Sequence, residues 1–582
     1  MTFHELQKTT TDRALDFLQS WLFFGVMARV SGDDFQKAHF HESAHELDSR
    51  PLLPLIQSFS SKLREHEPRN HQRSIHIREV CQSAHRQCDG FDQDWPSAGP
   101  LWPQVLLSIH VLLEILECIP HVYVASNRYQ TASRHGGRSF RSERYETLEP
   151  TSLSLYQTSL RAVFDQAVVS KMWCWKQLRR ICCTNSYVAV IYLCQLRRTP
   201  KRLGWPLMCA VDDTSRCSCF DFTRRALVGA HTIESCRCQP PLVDDGIMTD
   251  ILRSGGIPLL KCVCQQIGRH RHIVSVPYEP AFPGLQFVAL SHIWADGLCH
   301  PENNTILACQ LHAILDDITS VLNFKRPSLD GLYTLLSREQ TSYLWIDFMC
   351  IPQEQEDTET PASNDIPSIG GMVDCAENAT DKNAALSLMP AIYLWAEFVL
   401  VVDSELTRAP VKDGLEFRAR IAASGWKSRY WTFQEQSLAD KLYFRHQNGY
   451  ISDGREPYTA RNILKSRTSD KIGLLSRSMS VISRTGAMWR RDSHEGHQLS
   501  KAWNYLVGRS TSKSEDAMLI FATLLGLDAS EISSLSPSSQ VKALISTQTS
   551  VSCSILTAHM QRNRDLADER ERWLPTMRGG LP

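Results

Sequence analysis

The chain has 582 residues, 42% of them hydrophobic and 22% charged, and its 63 basic and 63 acidic side chains balance to a formal net charge of +0. That length exceeds one ordinary core and implies roughly two to four domains. The charge balance lacks the basic excess of a polyanion binder, so nucleic acid is not an expected partner. No basic start followed by an apolar core opens the chain at Met1-Thr-Phe-His-Glu-Leu. The most apolar window, 101–125, is interrupted by His110, Glu114 and His121, which points to a buried helix and no membrane span. The expected compartment is therefore cytoplasmic. There the 19 Cys are free thiols or metal ligands, not disulfides.

In chain order, Leu15, Leu18, Leu22 and Phe23 recur at helical spacing, and residues 104–118 repeat that signal. Residues 127–144 turn polar and basic around Gly136-Gly137 and read as an exposed loop. Residues 151–200 carry Trp173, Trp175 and Leu178 on one helical face. Residues 1–204 are thus predicted as a mainly helical N-terminal region, and 205–280 as a Cys/His-rich connector.

Residues 281–450 read as an α/β domain with a parallel sheet. Three short apolar runs, at 287–291, 343–347 and 398–402, have the composition of buried parallel strands, and their ends carry Ser291, Asp347 and Asp403. Leu307, Leu311, Leu315, Ile318 and Leu322 predict the first crossover helix. A second helix is predicted over 384–396, with a kink or a late start at Pro390. Between them, 354–381 has the polar, Gly- and Pro-containing makeup of a long flexible insertion. A helical C-terminal extension, 451–582, places Ala502, Leu506, Ile520, Phe521, Leu524 and Leu525 at apolar positions. The final Arg572-Trp-Leu-Pro stretch and Gly-Gly-Leu-Pro582 read as an abrupt stop.

Strand ends line the ligand crevice of an open α/β sheet, so Ser291, Asp347 and Asp403 are candidate site residues. Each carboxylate has an equally ordinary use, capping the next helix or closing a turn. Glu435 lies one helical turn after Trp431 near a helix start around Ser428, where the helix dipole favours a carboxylate. Its alternatives are catalysis and a capping or salt-bridging role with Arg429. Ser291, His292 and Cys350 form a weaker nucleophile set, since a Cys after a buried strand is usually a small core residue. The connector and its border hold Cys217, Cys219, His231, Cys236, Cys238, Cys262 and Cys264. Their pairs are separated by one residue, whereas structural zinc ligands usually stand two to four apart. Yet seven candidate ligands within about fifty residues is a high local density, so scattered free thiols and a structural metal both stay open and no metal ligand is assigned. Trp294, Trp345, Trp395, Trp426 and Trp431 read as packing residues, Trp431 with a second use flanking a flat ligand.

Four stretches in order carry a resemblance: Val288-Ala-Leu-Ser-His-Ile-Trp294, Leu344-Trp-Ile-Asp347 with Cys350-Ile-Pro352, Ile392-Tyr393 through Asp403, and Arg429-Tyr-Trp-Thr-Phe-Gln-Glu435. Together they resemble the fungal heterokaryon-incompatibility (HET) domain over about 285–450. The Ser-His-Ile-Trp-Ala-Asp-Gly variant and the helix near residue 20 resemble a long-chain branch of that family. The segment from Arg509 to Asp516, with Leu524 to Asp528, is similar to the one that often follows the domain. Position 292 is His where many members have Tyr. The resemblance implies fungal non-self recognition ending in programmed cell death, through an unknown protein partner or self-association. HET domains are also similar to TIR domains, which have a flavodoxin-like sheet. On that likeness Glu435 corresponds to the catalytic carboxylate of NAD-cleaving members, and Ser291, Trp294, Asp347 and Trp431 to the crevice that binds NAD as substrate. A non-enzymatic signalling or self-association scaffold is the other reading.

Overall fold

The structure, a computed structural model, describes residues 19–32, 67–94, 105–116, 153–175, 187–199, 231–293, 305–325, 339–352, 369–410, 414–452, 516–525 and 535–547, with short breaks inside these ranges and isolated positions between them. Trp294, Cys217 and Cys219 lie outside the described residues, as do the loop expected at 127–144 and the C-terminal stretch from 548. The described residues fall into two compact units, one of those up to Arg198 and one of those from Thr199 onward.

The first unit is built mainly of helices. A π-helical turn, Gln19–Phe24, continues as Gly25–Ser31, followed by Glu67–Asp94, residues 105–116, Leu153–Lys171 and Tyr187–Gln195. Leu22, Met27, Ile77, Cys81, Leu106, Ile109 and Leu113 share one core. His110 is stacked between His85 and Tyr187. Burial pushes its imidazole down to about 3, so it sits there neutral.

The second unit opens with helix α1, Asp245–Arg253. The Asp244 side chain caps it by accepting from the Gly246 and Ile247 amides at 3.0 and 3.4 Å. At its other end Gly255, at φ +77°, and Gly256 return their amides to Leu252 and Ile251, a turn that needs the left-handed freedom of glycine. The chain then enters strands β1 Pro258–Ile267, β2 His270–Ser275, β3 Tyr278–Pro280 and β4 Val288–His292. Helix α2, Ala308–Lys325, leads to β5, Glu339–Trp345, and the short helix α3, Asp347–Cys350. Helix α4, Ile369–Trp395, leads to β6, Phe398–Val402. Helices α5 Ser404–Arg408 and α6 Gly414–Ala423, a 3-10 turn Trp426–Ser428 and helix α7 Trp431–Leu438 precede β7 Leu442–His446 and β8 Gly449–Ser452. Helices α8, Asp516–Leu524, and α9, Pro537–Ser546, follow.

Among the described residues, eight strands form one sheet in the order β2-β1-β5-β4-β6-β7-β8, with β3 also paired to β1. The four central strands β5, β4, β6 and β7 are parallel. Val288 of β4 stands between Leu344 of β5 and Phe398 of β6, and Ser291 is level with Val401. Every residue of β4 is buried, and β6 is buried through Val401. Strands covered on both faces read as continuous apolar runs for that reason. The chain leaves β4 for β5 on one side and returns past it to β6 on the other, so the strand order reverses at β4.

The expected parallel sheet forms the centre, and antiparallel strands extend it on both sides. Strands β1, β2, β3 and β8 pair antiparallel, and the first three lie in the stretch read as a connector. Short links join β1, β2 and β3, which lets them pair antiparallel where parallel neighbours would need long crossovers. The second crossover also differs from expectation. Helix α4 does not start late at Pro390; it begins at Ile369 and runs through that residue, and its first half takes in 369–381 of the expected insertion. Buried Ala385, Met389, Ile392 and Tyr393 hold it on the sheet and offset the one hydrogen bond that Pro390 removes. Arg253 of α1 grips Asp381 of α4 with two bonds, Nε to Oδ1 at 3.1 Å and Nη2 to Oδ2 at 3.0 Å.

Candidate functional site

At the carboxyl end of β4 the chain places two adjacent polar side chains, Ser291 and His292, both buried. Neighbouring strand residues alternate faces, so the two reach different partners. The Ser291 hydroxyl donates to Oε2 of Glu435 on α7. It accepts in turn from the Trp426 indole Nε1 at 2.5 Å. His292 Nε2 meets Asp347 Oδ1 at 2.8 Å, just beyond the end of β5. That same oxygen accepts from the Phe348 amide at 2.8 Å, so Asp347 both opens α3 and orients His292. Nδ1 of His292 is buried with no hydrogen-bond partner. Arg429 Nη1 donates to the His292 carbonyl at 3.3 Å, tying the approach to α7 onto the strand end.

Glu435 is 5% exposed. Burial pushes its carboxyl up to about 7; the Ser291 hydrogen bond opposes that rise and the Asp347 charge adds to it. The Tyr393 phenol of α4 is held well above its ordinary value by burial first, and then by the Glu435 and Asp347 charges, so it stays protonated. Asp347 keeps 20% side-chain exposure while its partner His292 has none, so solvent reaches the cluster at that carboxylate. The arrangement is a carboxyl group poised near neutral pH, with a hydroxyl on one oxygen and a second carboxylate nearby. Such a group serves either as an acid or as an anionic stabiliser of developing positive charge.

Helix α7 is held on its other side by the C-terminal helices. Tyr430 and Phe433 share a core with Trp503, Leu506, Ile520, Phe521 and Leu524. The Trp431 indole Nε1 donates to Asp516 Oδ2 at 2.8 Å, and Trp431 borders both apolar clusters. Arg509 Nη1 donates to the Arg429 carbonyl at 2.9 Å, and its guanidinium lies 5.1 Å from the centre of the Phe433 ring. Burial pushes Arg509 down to about 9.

The residues singled out from sequence therefore part ways. Ser291 and Glu435 meet directly, Asp347 joins them through His292 and its charge, and Trp431 stands on the same helix as Glu435 with its indole tied to Asp516. Asp403, fully buried, is a structural cap. Its Oδ1 accepts from the Glu405 and Leu406 amides at 2.9 and 3.1 Å, and its Oδ2 from the Trp426 amide at 3.1 Å. Cys350 is buried, and burial pushes its thiol up to about 12, which leaves it inert as a nucleophile. Trp426 and Tyr393 had no functional reading from sequence. The only signal for Trp426 was chemical: a buried indole N–H requires an acceptor.

A mixed sheet with a parallel centre and many helices, with Ser291, His292, Asp347 and Glu435 gathered where its strand order reverses, defines an α/β domain. Residues 287–435 match the family model described as Heterokaryon incompatibility protein (HET), and this part of the chain is a HET domain. The match begins at the residue before β4 and ends at Glu435 itself. No curated protein and no solved structure matches the chain significantly.

Proposed function

We propose that this chain is a heterokaryon-incompatibility effector acting in the cytoplasm of fused fungal cells, and that it triggers cell death by cleaving NAD with Glu435 as the catalytic carboxylate. The observation that supports this reading is the position of Glu435, bonded to Ser291 at the end of β4 where the strand order reverses. Doubly wound sheets take their ligands at that point. The four parallel strands, numbered among themselves, run second, first, third, fourth, as in a flavodoxin-like or TIR-like sheet.

In the proposed reaction the bond between ribose C1′ and the nicotinamide nitrogen breaks, and its electron pair leaves with the now neutral nicotinamide. Positive charge passes to the ribose, where ionised Glu435 stabilises it. Water then adds to C1′ and loses a proton, giving ADP-ribose. Ser291 and Asp347 border the crevice, Asp347 as the acceptor for a ribose hydroxyl. Trp431 flanks the flat rings.

A separate observation favours the non-enzymatic scaffold. Glu435 is almost wholly buried and one of its oxygens is taken by Ser291, so a substrate must open the cluster to reach it. Expression of the wild type and Glu435→Ala in a fungal host, following NAD and viability together, separates the two. Loss of NAD before death in the wild type and neither in the variant supports cleavage. Toxicity that persists in the variant with NAD unchanged sinks it.

A further inference from the structure

Two half-exposed stretches far apart in sequence bring four soft ligands to one point. His231, Cys236 and Cys238 come from the segment ahead of α1, and Cys309 from the first turn of α2. His231 Nδ1 lies 3.5 Å from Cys238 Sγ and 3.6 Å from Cys309 Sγ. All four ligand atoms, Cys236 Sγ included, fall within 4.8 Å of one another. An ideal tetrahedral zinc centre with ordinary bond lengths has nitrogen-to-sulfur edges of about 3.6 Å and sulfur-to-sulfur edges of about 3.8 Å. The two nitrogen-to-sulfur distances coincide with those edges.

The supporting shell has the same character. The Cys309 amide donates to Cys238 Sγ at 3.3 Å and the Thr232 amide to Cys309 Sγ at 3.4 Å. Backbone N–H groups aimed at sulfur stabilise thiolate charge and orient it. A turn from the Cys236 amide to the Ile233 carbonyl folds the first segment, and the Ala308 amide reaches the Gln239 carbonyl at 3.4 Å, so both segments are fixed beside each other. Core packing does not account for the cluster. All four residues are intermediate in burial, whereas Cys262, Cys264 and Cys350 are buried thiols of the apolar core.

We propose that His231, Cys236, Cys238 and Cys309 form a structural zinc site. Four protein ligands leave no open position, which is the mark of a structural and not a catalytic centre. Soft thiolates with one imidazole select zinc over magnesium or calcium. The ion clamps the segment ahead of the sheet to the start of α2, the helix that follows β4 and its site residues. It thereby fixes one border of the crossover leading away from Ser291 and His292.

The test uses the full chain, expressed with added zinc and freed of loosely bound metal by desalting. Mass-spectrometric metal analysis is expected to find one zinc per chain, falling to background in Cys309→Ser and Cys238→Ser and unchanged in Cys262→Ala. Because a ligand variant that misfolds also loses zinc, the wild type supplies two further readouts. Replacement of zinc by cobalt should produce the visible bands of a tetrahedral thiolate site. A strong chelator should expose three additional thiols to a thiol reagent and lower the melting temperature. Zinc at background in the wild type overturns the proposal, as does a mapped disulfide between any two of the three cysteines or an octahedral cobalt spectrum. None of these readouts depends on NAD cleavage, so this site and the proposed activity stand or fall separately.

Discussion

Ser291 and Glu435, 144 positions apart, share a hydrogen bond in the buried end of the sheet. That bond joins the first central strand to the helix that closes the HET match, and the Trp426 indole completes it from the 3-10 turn ahead of α7. Stability and chemistry meet at this contact, because the hydroxyl that orients the carboxylate also holds it closer to its ionised form.

Stability should fall with rising pH through Glu435. Glu435 sits at about 7 in the folded chain against an ordinary 4.5. Its folded value is raised, so the stability it contributes is complete below the unfolded value and is lost as pH rises through the folded one. At about 1.4 kcal/mol per pH unit, burying the ionised carboxylate removes about 3 kcal/mol between pH 4.5 and 8. Urea unfolding across that window should show the loss in the wild type. Glu435→Gln, which has no charge to bury, should lack this component.

Ser291→Ala should act in two ways. It strands the buried Trp426 N–H, which costs about 1–3 kcal/mol. It also removes the bond that holds the Glu435 carboxyl down, so the inflection in the pH–stability profile should move to higher pH. A variant with the wild-type inflection contradicts the assigned contact.

Asp403 serves two structures with two oxygens. Asp403→Asn keeps one acceptor and should lose either the α5 cap or the anchor of the Trp426 amide. Asp403→Ala loses both, for about 2–4 kcal/mol against about 1–3 kcal/mol for Asn. Denaturation midpoints in the order wild type, Asn, Ala check this. Equal midpoints for the two variants count against it.

Trp431 separates packing from ligand contact. If its ring flanks the nicotinamide, Trp431→Ala should raise the KM for NAD about twofold to tenfold with a smaller change in kcat, as expected for one lost aromatic contact. Asp516→Asn retains the ring and one carbonyl acceptor for its N–H, and should leave KM nearly unchanged. A fall in melting temperature with no change in KM for Trp431→Ala makes the residue purely structural.

Much of the central sheet was legible in sequence, for a physical reason. Strands β4 and β6 are covered on both faces, so Val-Ala-Leu and Phe-Val-Leu-Val-Val stand out as unbroken apolar runs. Strand β1 was not legible, because Lys261 and Gln265 alternate with buried Leu260, Cys262 and Cys264 and the segment reads as a Cys/His-rich connector. The early half of α4 was hidden by Gly370-Gly371 and its many polar residues, which lower intrinsic helix propensity. At the site, motif order drew attention to Ser291, Asp347 and Glu435. The His292–Asp347 contact and the Trp426 donor were beyond reach, since they depend on which strands become neighbours and which faces their ends present. Cys309 illustrates the same limit. Its three companion ligands lie more than seventy positions earlier, and no local spacing connects them.

The most direct measurement is nicotinamide release from NAD by the purified full chain, wild type against Glu435→Gln, followed by chromatography from pH 5.5 to 8.5. Release by the wild type should rise through about pH 7 as Glu435 ionises. The folded Glu435→Gln protein should show none. Release that persists in the variant, or a folded wild type inactive across the whole range, rules out Glu435 as the catalytic carboxylate of NAD cleavage.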